Sequence, residues 1–379
     1  MFTREDIQRI VLDFFRTESA RRRKDVLLVF DEPQTDDFLH TLPTEVQAQA
    51  LAKIQTFFGF EKSSFATLAQ VTDTAFEAAQ KNRCFTFLTS GSTGIPKPCV
   101  HTEEMLAEES RGLAPLFPHV RRIVSLVPSS HLYGFTSTVV LPHTLNVPLT
   151  VLPALPVQPW NTYLQDGDLV VGFPLFWQYF LQAGNTFSKQ VSVLSSTAPC
   201  KDEIIVGLKQ AGITQFTEIY GSSETGVIGT RHHEGQPFIL MPFWDLRFET
   251  DNEPQIKRKS QTTWLSLPDK VQFPSPRALR PVGRKDACVQ VAGINVFPKR
   301  VEQVLLEHPS VAACRVRLMR PEEGSRLKAF IVLKKGTPQT ELPAIRAFLS
   351  GKLTVHEMPR AFTFGKELPV AALGKACDW

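Results

Sequence analysis

Thr89-Ser-Gly-Ser-Thr-Gly-Ile-Pro-Lys97, directly after the apolar run Arg83-Cys-Phe-Thr-Phe-Leu, is the stretch from which the rest of the chain can be read. Gly91 and Gly94 permit backbone conformations closed to residues with a Cβ, so consecutive N–H groups can converge on an anion. The hydroxyls of Thr89, Ser90, Ser92 and Thr93 add donors, and Lys97 adds a point charge suited to phosphate. A Walker A loop needs Gly directly before its Lys and a helix after it. Here Pro96 and Pro98 flank Lys97, so a helix cannot start in that way. A strand followed by nine residues with two Gly, four hydroxyls and a proline-locked Lys reads as a phosphate loop of another kind.

Outward from the loop, strand-like apolar runs at 123–127, 147–152, 168–172, 190–194 and 216–219 alternate with helix-like stretches at 103–116, 176–183 and 200–211. That alternation predicts βαβ units and a mostly parallel sheet. Before the loop, residues 1–23 carry Ile7, Ile10, Val11, Phe14 and Phe15 at helical spacing, and residues 44–81 also read as helical. Residues 251–281 are polar and contain Pro, which suggests a transition zone. Beyond them come a helix at 298–308, strands at 311–318 and 328–333 and a helix at 340–353, a small α+β unit.

Composition agrees with a globular protein. The 379 residues are 42% hydrophobic and 21% charged, enough at roughly 150 residues per domain for about two to three domains. Lys+Arg 42 against Asp+Glu 38 gives a net charge of +4 without a basic block, which argues against a nucleic-acid binder. Nothing approaches the roughly 18 consecutive apolar residues of a membrane span. The start, Met1-Phe-Thr-Arg-Glu-Asp, lacks a signal peptide's apolar stretch. Six scattered cysteines without a C-x-x-C pair predict neither a zinc ribbon nor a disulfide framework, and a reducing, cytoplasmic setting. Phe 28 against Tyr 4 predicts an aromatic core rather than an aromatic-lined pocket.

The loop resembles the phosphate-binding signature of the adenylate-forming superfamily, which includes acyl- and aryl-CoA synthetases, and further motifs follow in that family's order. Val127-Pro-Ser-Ser-His-Leu-Tyr-Gly134 is similar to the segment whose His lies beside the acyl substrate. Ser195-Ser-Thr-Ala-Pro199 stands where the family has Ser-Gly-Gly-Ala-Pro against adenine, with Ser196 and Thr197 replacing glycines. Tyr220-Gly-Ser-Ser-Glu-Thr-Gly226 matches the aromatic-Gly-x-Thr-Glu motif, Ser223 replacing Thr. A ring such as Tyr220 can stack on a purine, and Glu224 suits Mg²⁺, which takes few protein ligands. Trp264-Leu-Ser-Leu-Pro-Asp269 keeps only the Asp of its motif. Gly283-Arg-Lys-Asp-Ala-Cys-Val-Gln-Val-Ala-Gly293 resembles the interdomain hinge, and Leu368-Pro-Val-Ala-Ala-Leu-Gly-Lys375 the C-terminal signature.

The resemblance implies an α/β fold: a large N-terminal domain (1–283, shortened at its N-terminus) with mostly parallel sheets flanked by helices, and a small mobile α+β C-terminal domain (284–379). It implies ATP-dependent activation of a carboxylic acid to an acyl-adenylate, then transfer to a thiol, either CoA or a carrier protein's phosphopantetheine. Lys375, Glu224, Lys97 and Ser223 would be catalytic, with Glu224 on Mg²⁺. Residues Thr89 to Gly94, Ala198, Pro199, Tyr220, Gly221, Ser222, Asp269 and Arg284 would bind nucleotide. His131, Tyr133, Gly134, Ser137, Phe173, Trp177, Ser195 and Thr197 would form the acid pocket. Tyr133 would read a substrate ring or phenol. Asp286 would be the hinge and Gly293 would lie on the thiol tunnel. An aryl acid, such as a hydroxybenzoate or hydroxycinnamate, fits the His-x-Tyr context best. A fatty-acyl ligase loading an acyl carrier protein, or a non-catalytic homologue acting as a scaffold, stands as the alternative.

Overall fold

The computed structural model describes residues 2–22, 38–61, 64–89, 97–152, 159–249, 253–285, 288–291, 294–320 and 322–369. The expected loop residues Ser90, Gly91, Ser92, Thr93 and Gly94, the hinge Asp286, Gly293 and Lys375 lie outside these. The chain divides into a large unit, built of Met1–Thr89 and Pro98–Val282, and a smaller one that takes in Lys97 and the described residues from Gly283 onward.

The large unit is organised by a nine-stranded sheet. Its order is Asp269–Ser275, Ala278–Arg284, Phe238–Leu240, Gly226–Arg231, Gln215–Ser222, Val191–Ser195, Asp168–Gly172, Arg122–Ser125, Leu149–Val151. The last five run parallel, and pairing turns antiparallel from Gly226–Arg231 onward. The parallel strands were the ones legible as continuous apolar runs, because they are buried on both faces: helices Pro174–Gln182 and Asp202–Gln210 cover one face, and Leu113, Phe117 and Leu141 pack against the other. Arg122 closes the start of two neighbouring strands with a bidentate pair to Asp168 at 2.8 and 2.7 Å.

The region read as a transition zone is folded. It holds the strands Pro254–Arg258, Leu265–Ser266 and Asp269–Ser275 and the start of Ala278–Arg284. Antiparallel strands with one wet face alternate polar and apolar, so they carry no apolar run; Pro254, Ile256 and Arg258 are buried while Gln255 and Lys257 are half-buried. The stretch 44–81, read as helical, is two helices, Thr44–Phe58 and Leu68–Asn82. The first ends at Gly59, whose φ of 71° is left-handed.

These helices and Arg4–Arg22 pack a phenylalanine core with the strand Cys84–Thr89. Phe57 meets Phe58, Phe85, Phe87 and Phe135 at ring-centroid separations of 4.9 to 5.8 Å. The aromatic excess thus builds core here, each buried ring contributing about 1.5–3 kcal/mol. The small unit pairs Val311–Leu318 antiparallel with Leu327–Leu333, which pairs parallel with Ala361–Gly365. Helices Pro298–Leu306 and Leu342–Ser350 cover it with Val301, Leu305, Ile345 and Leu349. No helix among the described residues is long and apolar enough to cross a membrane.

Candidate active site

Ligand sites on open α/β sheets lie beyond the carboxyl ends of parallel strands, and register places the candidate residues there. Ser125 lies opposite Val171, Gly172 opposite Ser195, and Ser195 opposite Glu218. The segments leaving these strands carry His131 and Tyr133, Phe173, Ser196 to Pro199, and Ser223 with Glu224.

The histidine segment is held from the N-terminal helix. Asp13 accepts from the Ser129 N–H at 2.7 Å and its hydroxyl at 2.6 Å. Pro142 has no N–H to return to the Thr138 carbonyl, so the helix loosens into a π turn over Thr136–Val140. Arg9 donates to that carbonyl at 2.8 Å. Gly134 is needed because a Cβ would run into the Pro128 carbonyl. The Tyr133 hydroxyl lies 3.0 Å from the carbonyls of both Gly172 and Leu194. Burial raises its phenol well above the usual range. The expected reader of a substrate phenol therefore spends its hydroxyl joining this helix to two strand ends. Trp177, expected in the pocket, is core: it has no exposed surface, and its indole fills the space where a Gly172 Cβ would stand. Phe173 is half-buried and His131 is exposed. Two hydroxyls of the expected set, Ser137 and Ser195, are fully buried and make no hydrogen bond.

Beyond Ser195, the Ser196 hydroxyl donates to the Ile219 carbonyl at 3.0 Å. Thr197 stands at φ 80°, a left-handed conformation that is rare for a β-branched residue. Ala198 is half-buried and Pro199 exposed. The turn ends where the Cys200 N–H donates to Glu218 at 2.8 Å, and Arg231 pairs with Glu218 at 2.6 Å while donating to the Cys200 carbonyl.

The segment Tyr220–Gly226, expected to bind nucleotide, forms the turn between Gln215–Ser222 and Gly226–Arg231. Gly221 follows a register shift after Tyr220, and a Cβ there would strike the Gly226 carbonyl. Ser222 and Thr225 hydroxyls lie 3.1 Å apart across the turn. Glu224 is exposed and Ser223 half-buried. Tyr220 donates its hydroxyl to Asp269 at 2.6 Å, joining two expected nucleotide residues that are 49 positions apart. Asp269 opens its strand and is mostly buried. Lys97 begins the strand Lys97–Thr102, Thr89 ends Cys84–Thr89, and Arg284 ends Ala278–Arg284.

Three residues beneath this turn had not been singled out. His101 is fully buried and its Nε2 donates to the Ser223 carbonyl at 2.7 Å. Burial, with a smaller push from Arg258, holds its pKa down at about 4. Arg258 donates to the Thr225 carbonyl at 3.0 Å, to Glu108 at 2.9 Å, and to Glu109. Burial pushes the Glu109 carboxyl up to about 7 against the pull of Arg258. A signal existed: Leu106, Glu109, Ser110 and Leu113 share the buried stripe of their helix, and a carboxylate on such a stripe requires a partner.

The AMP-binding enzyme family matches residues 15–254, and the AMP-binding enzyme C-terminal domain matches residues 300–375. A 4-coumarate–CoA ligase of Cereibacter sphaeroides is 35% identical over 300 residues, covering 78% of this chain and 70% of the relative. A 4-coumarate–CoA ligase of Rhodobacter capsulatus is 30% identical over 393 residues, covering 98% of this chain and 100% of the relative. Among solved structures, the amide bond synthetase McbA of Marinactinospora thermotolerans superposes with a TM-score of 0.62 at 20% identity, covering 77% of this chain and 67% of McbA. That likeness speaks for the fold. With both domain families in order and a relative matched end to end, the chain belongs to the adenylate-forming superfamily, as an AMP-forming acid–CoA ligase.

Proposed function

We propose that the acid activated by this ligase is an aryl acid of the hydroxycinnamate or hydroxybenzoate class, with ATP converted to AMP and pyrophosphate before CoA attacks the acyl-adenylate. The observation that carries this reading is the match to a 4-coumarate–CoA ligase over 98% of this chain and the whole of that relative.

A carboxylate is a poor electrophile, so the chemistry needs phosphate charge neutralised and two anions brought together. The loop amides from Thr89 to Gly94 and the Lys97 ammonium receive phosphate oxygens. Asp269 accepts from ribose hydroxyls, and its bond to Tyr220 fixes the ring that faces adenine. Arg284 adds a second ribose contact. Lys375 bridges the acid's carboxylate and the α-phosphate. Asp286 serves as the pivot between half-reactions, and Gly293 leaves room for pantetheine. Mg²⁺ would be held by Glu224 and would neutralise phosphate charge. An exposed carboxylate beside a hydroxyl fits an ion that keeps its waters and phosphate oxygens. No cluster of three His, Cys, Asp or Glu occurs among the described residues, and such an ion requires none. A cytoplasmic setting suits these co-substrates.

Carboxylate-dependent ATP–pyrophosphate exchange over a panel of aryl and aliphatic acids tests the assignment. Exchange should be at least about tenfold faster with 4-coumarate or 4-hydroxybenzoate than with octanoate. Exchange with aliphatic acids alone would replace the aryl assignment by a fatty-acyl one.

A further inference from the structure

The turn carrying Ser223 and Glu224 joins two central strands of the sheet, and its backbone is gripped at two residues, Ser223 and Thr225. The His101 ring donates to the Ser223 carbonyl at 2.7 Å. Arg258 donates to the Thr225 carbonyl at 3.0 Å. Glu109 accepts from the same Arg258 Nη2 that reaches Thr225, and the next residue of the turn, Gly226, sits against it: φ there is 74°, and a Cβ would collide with Glu109 Oε1. All three side chains are essentially fully buried. They come from three places in the sequence: the strand Lys97–Thr102, the helix Glu103–Leu113 and the strand Pro254–Arg258. Glu224, between the two gripped carbonyls, stays exposed.

Burying a guanidinium, a carboxylate and an imidazole is expensive, and an apolar filling of similar shape would stabilise the fold at least as well. What an apolar filling cannot do is donate to two carbonyls and so fix where the intervening side chain points. From this geometry we propose that His101, Glu109 and Arg258 are positioning residues that hold the Ser223–Gly226 backbone and thereby aim the Glu224 carboxylate at the cation carried by the nucleotide. The inference rests on the assignment of Glu224 to Mg²⁺ made above.

His101 gives the cleanest separation. The Ser223 carbonyl accepts, so Nε2 carries the proton, and the buried Nδ1 makes no hydrogen bond. His101→Leu fills the space but removes the donor. His101→Gln places an amide N–H near the Nε2 position and restores it. Binding of a fluorescent ATP analogue is measured by titration with and without Mg²⁺, alongside thermal melts of each variant. His101→Leu should reduce the tightening caused by Mg²⁺ about tenfold while metal-free binding changes less than about twofold. His101→Gln should return the tightening to within about threefold of the parent. Glu224→Gln in the same titration should remove it. Loss of metal-free binding together with the Mg²⁺ effect, or a Gln variant as impaired as Leu, would show a structural role alone and overturn the proposal. A Leu variant that equals the parent, with Glu224→Gln impaired, overturns the positioning role and leaves Glu224 on the metal. Should Glu224→Gln respond to Mg²⁺ as the parent does, the metal assignment itself falls. If His101→Leu does not fold, the comparison of Gln with the parent and with Arg258→Lys carries the test. Mg²⁺ tightening unchanged in Arg258→Lys would then overturn the proposal.

Discussion

Two turns leave neighbouring strands of the same sheet, and each is seated by a buried carboxylate–guanidinium pair. The turn Ser196–Cys200 is tied down by Glu218 and Arg231, 13 residues apart on adjacent strands. The turn Ser223–Gly226 is tied down by Glu109 and Arg258, 149 residues apart. The first pair is local and opens to solvent through Asp202, which Arg231 also meets at 3.2 Å and which is half exposed. The second is closed: Glu109 has no exposed side chain and Arg258 hardly any. Similar chemistry is therefore set in two dielectric environments, and the closed one ought to tolerate loss of a partner far less.

The comparison is broken most directly by removing each arginine. Arg258→Met strands a buried carboxylate, and destabilisation of about 3–5 kcal/mol is expected. Arg231→Met should destabilise by about 1.5–3 kcal/mol, because Glu218 loses one charged hydrogen bond but keeps the Cys200 N–H. Urea midpoints of the two variants measure the difference, and equal losses would show that closure does not matter. Glu109→Gln with Arg258→Met, by removing both charges, should recover more than half of the single-variant loss.

The closed site also contains two groups whose titrations oppose each other. Glu109 has its folded pKa raised to about 7, so between about 4.5 and 7 the folded state binds more protons and stability falls as pH rises. His101 has its folded pKa lowered to about 4, so between about 4 and 6.5 the unfolded state binds more protons and stability rises with pH. The slopes offset each other in the parent. Glu109→Gln should expose a rise in stability from pH 4 to 6.5, and His101→Gln a fall from pH 4.5 to 7, read from denaturation midpoints across pH. Parallel curves for parent and variants would remove the titrations from the account.

The smallest effect belongs to the open turn. Thr197 holds a left-handed φ of 80°, which disfavours a residue with a Cβ by roughly 1–2 kcal/mol. Glycine adopts that conformation freely but loses more entropy on folding. Thr197→Gly should stabilise by about 0.5–1 kcal/mol, visible as a melting temperature about 1–4 °C higher. A lower melting temperature would mean that the Thr197 side chain contributes more than its strain removes.

The same contrast explains what could be read from sequence. The parallel strands announce themselves as unbroken apolar runs, and the motif residues are contiguous strings, so the sheet and both turns were legible. The antiparallel strands of 254–284 were not, because Gln255 and Lys257 interrupt their apolar positions. Tyr133 and Trp177 were legible as aromatic residues near a histidine motif, but two carbonyls and a glycine on a neighbouring strand decide what they touch. Arg258, His101 and Asp13 have partners more than 100 residues away in the chain, and no local pattern connects them. Glu109 was the exception, an acid on a buried helical stripe that went unread.

That long separation also orders events during synthesis. A chain growing from its N-terminus presents Glu109 and the whole Tyr220–Gly226 motif before Arg258 exists. Contacts of such high sequence separation are closed late in folding. Until residue 258 arrives, the carboxylate has no counter-charge and its helix has reason to stay in water. A nascent or truncated chain ending short of that arginine would therefore carry every letter of the Tyr220–Gly226 motif without its shape, so the last piece of that turn is contributed by a strand that shows no motif of its own.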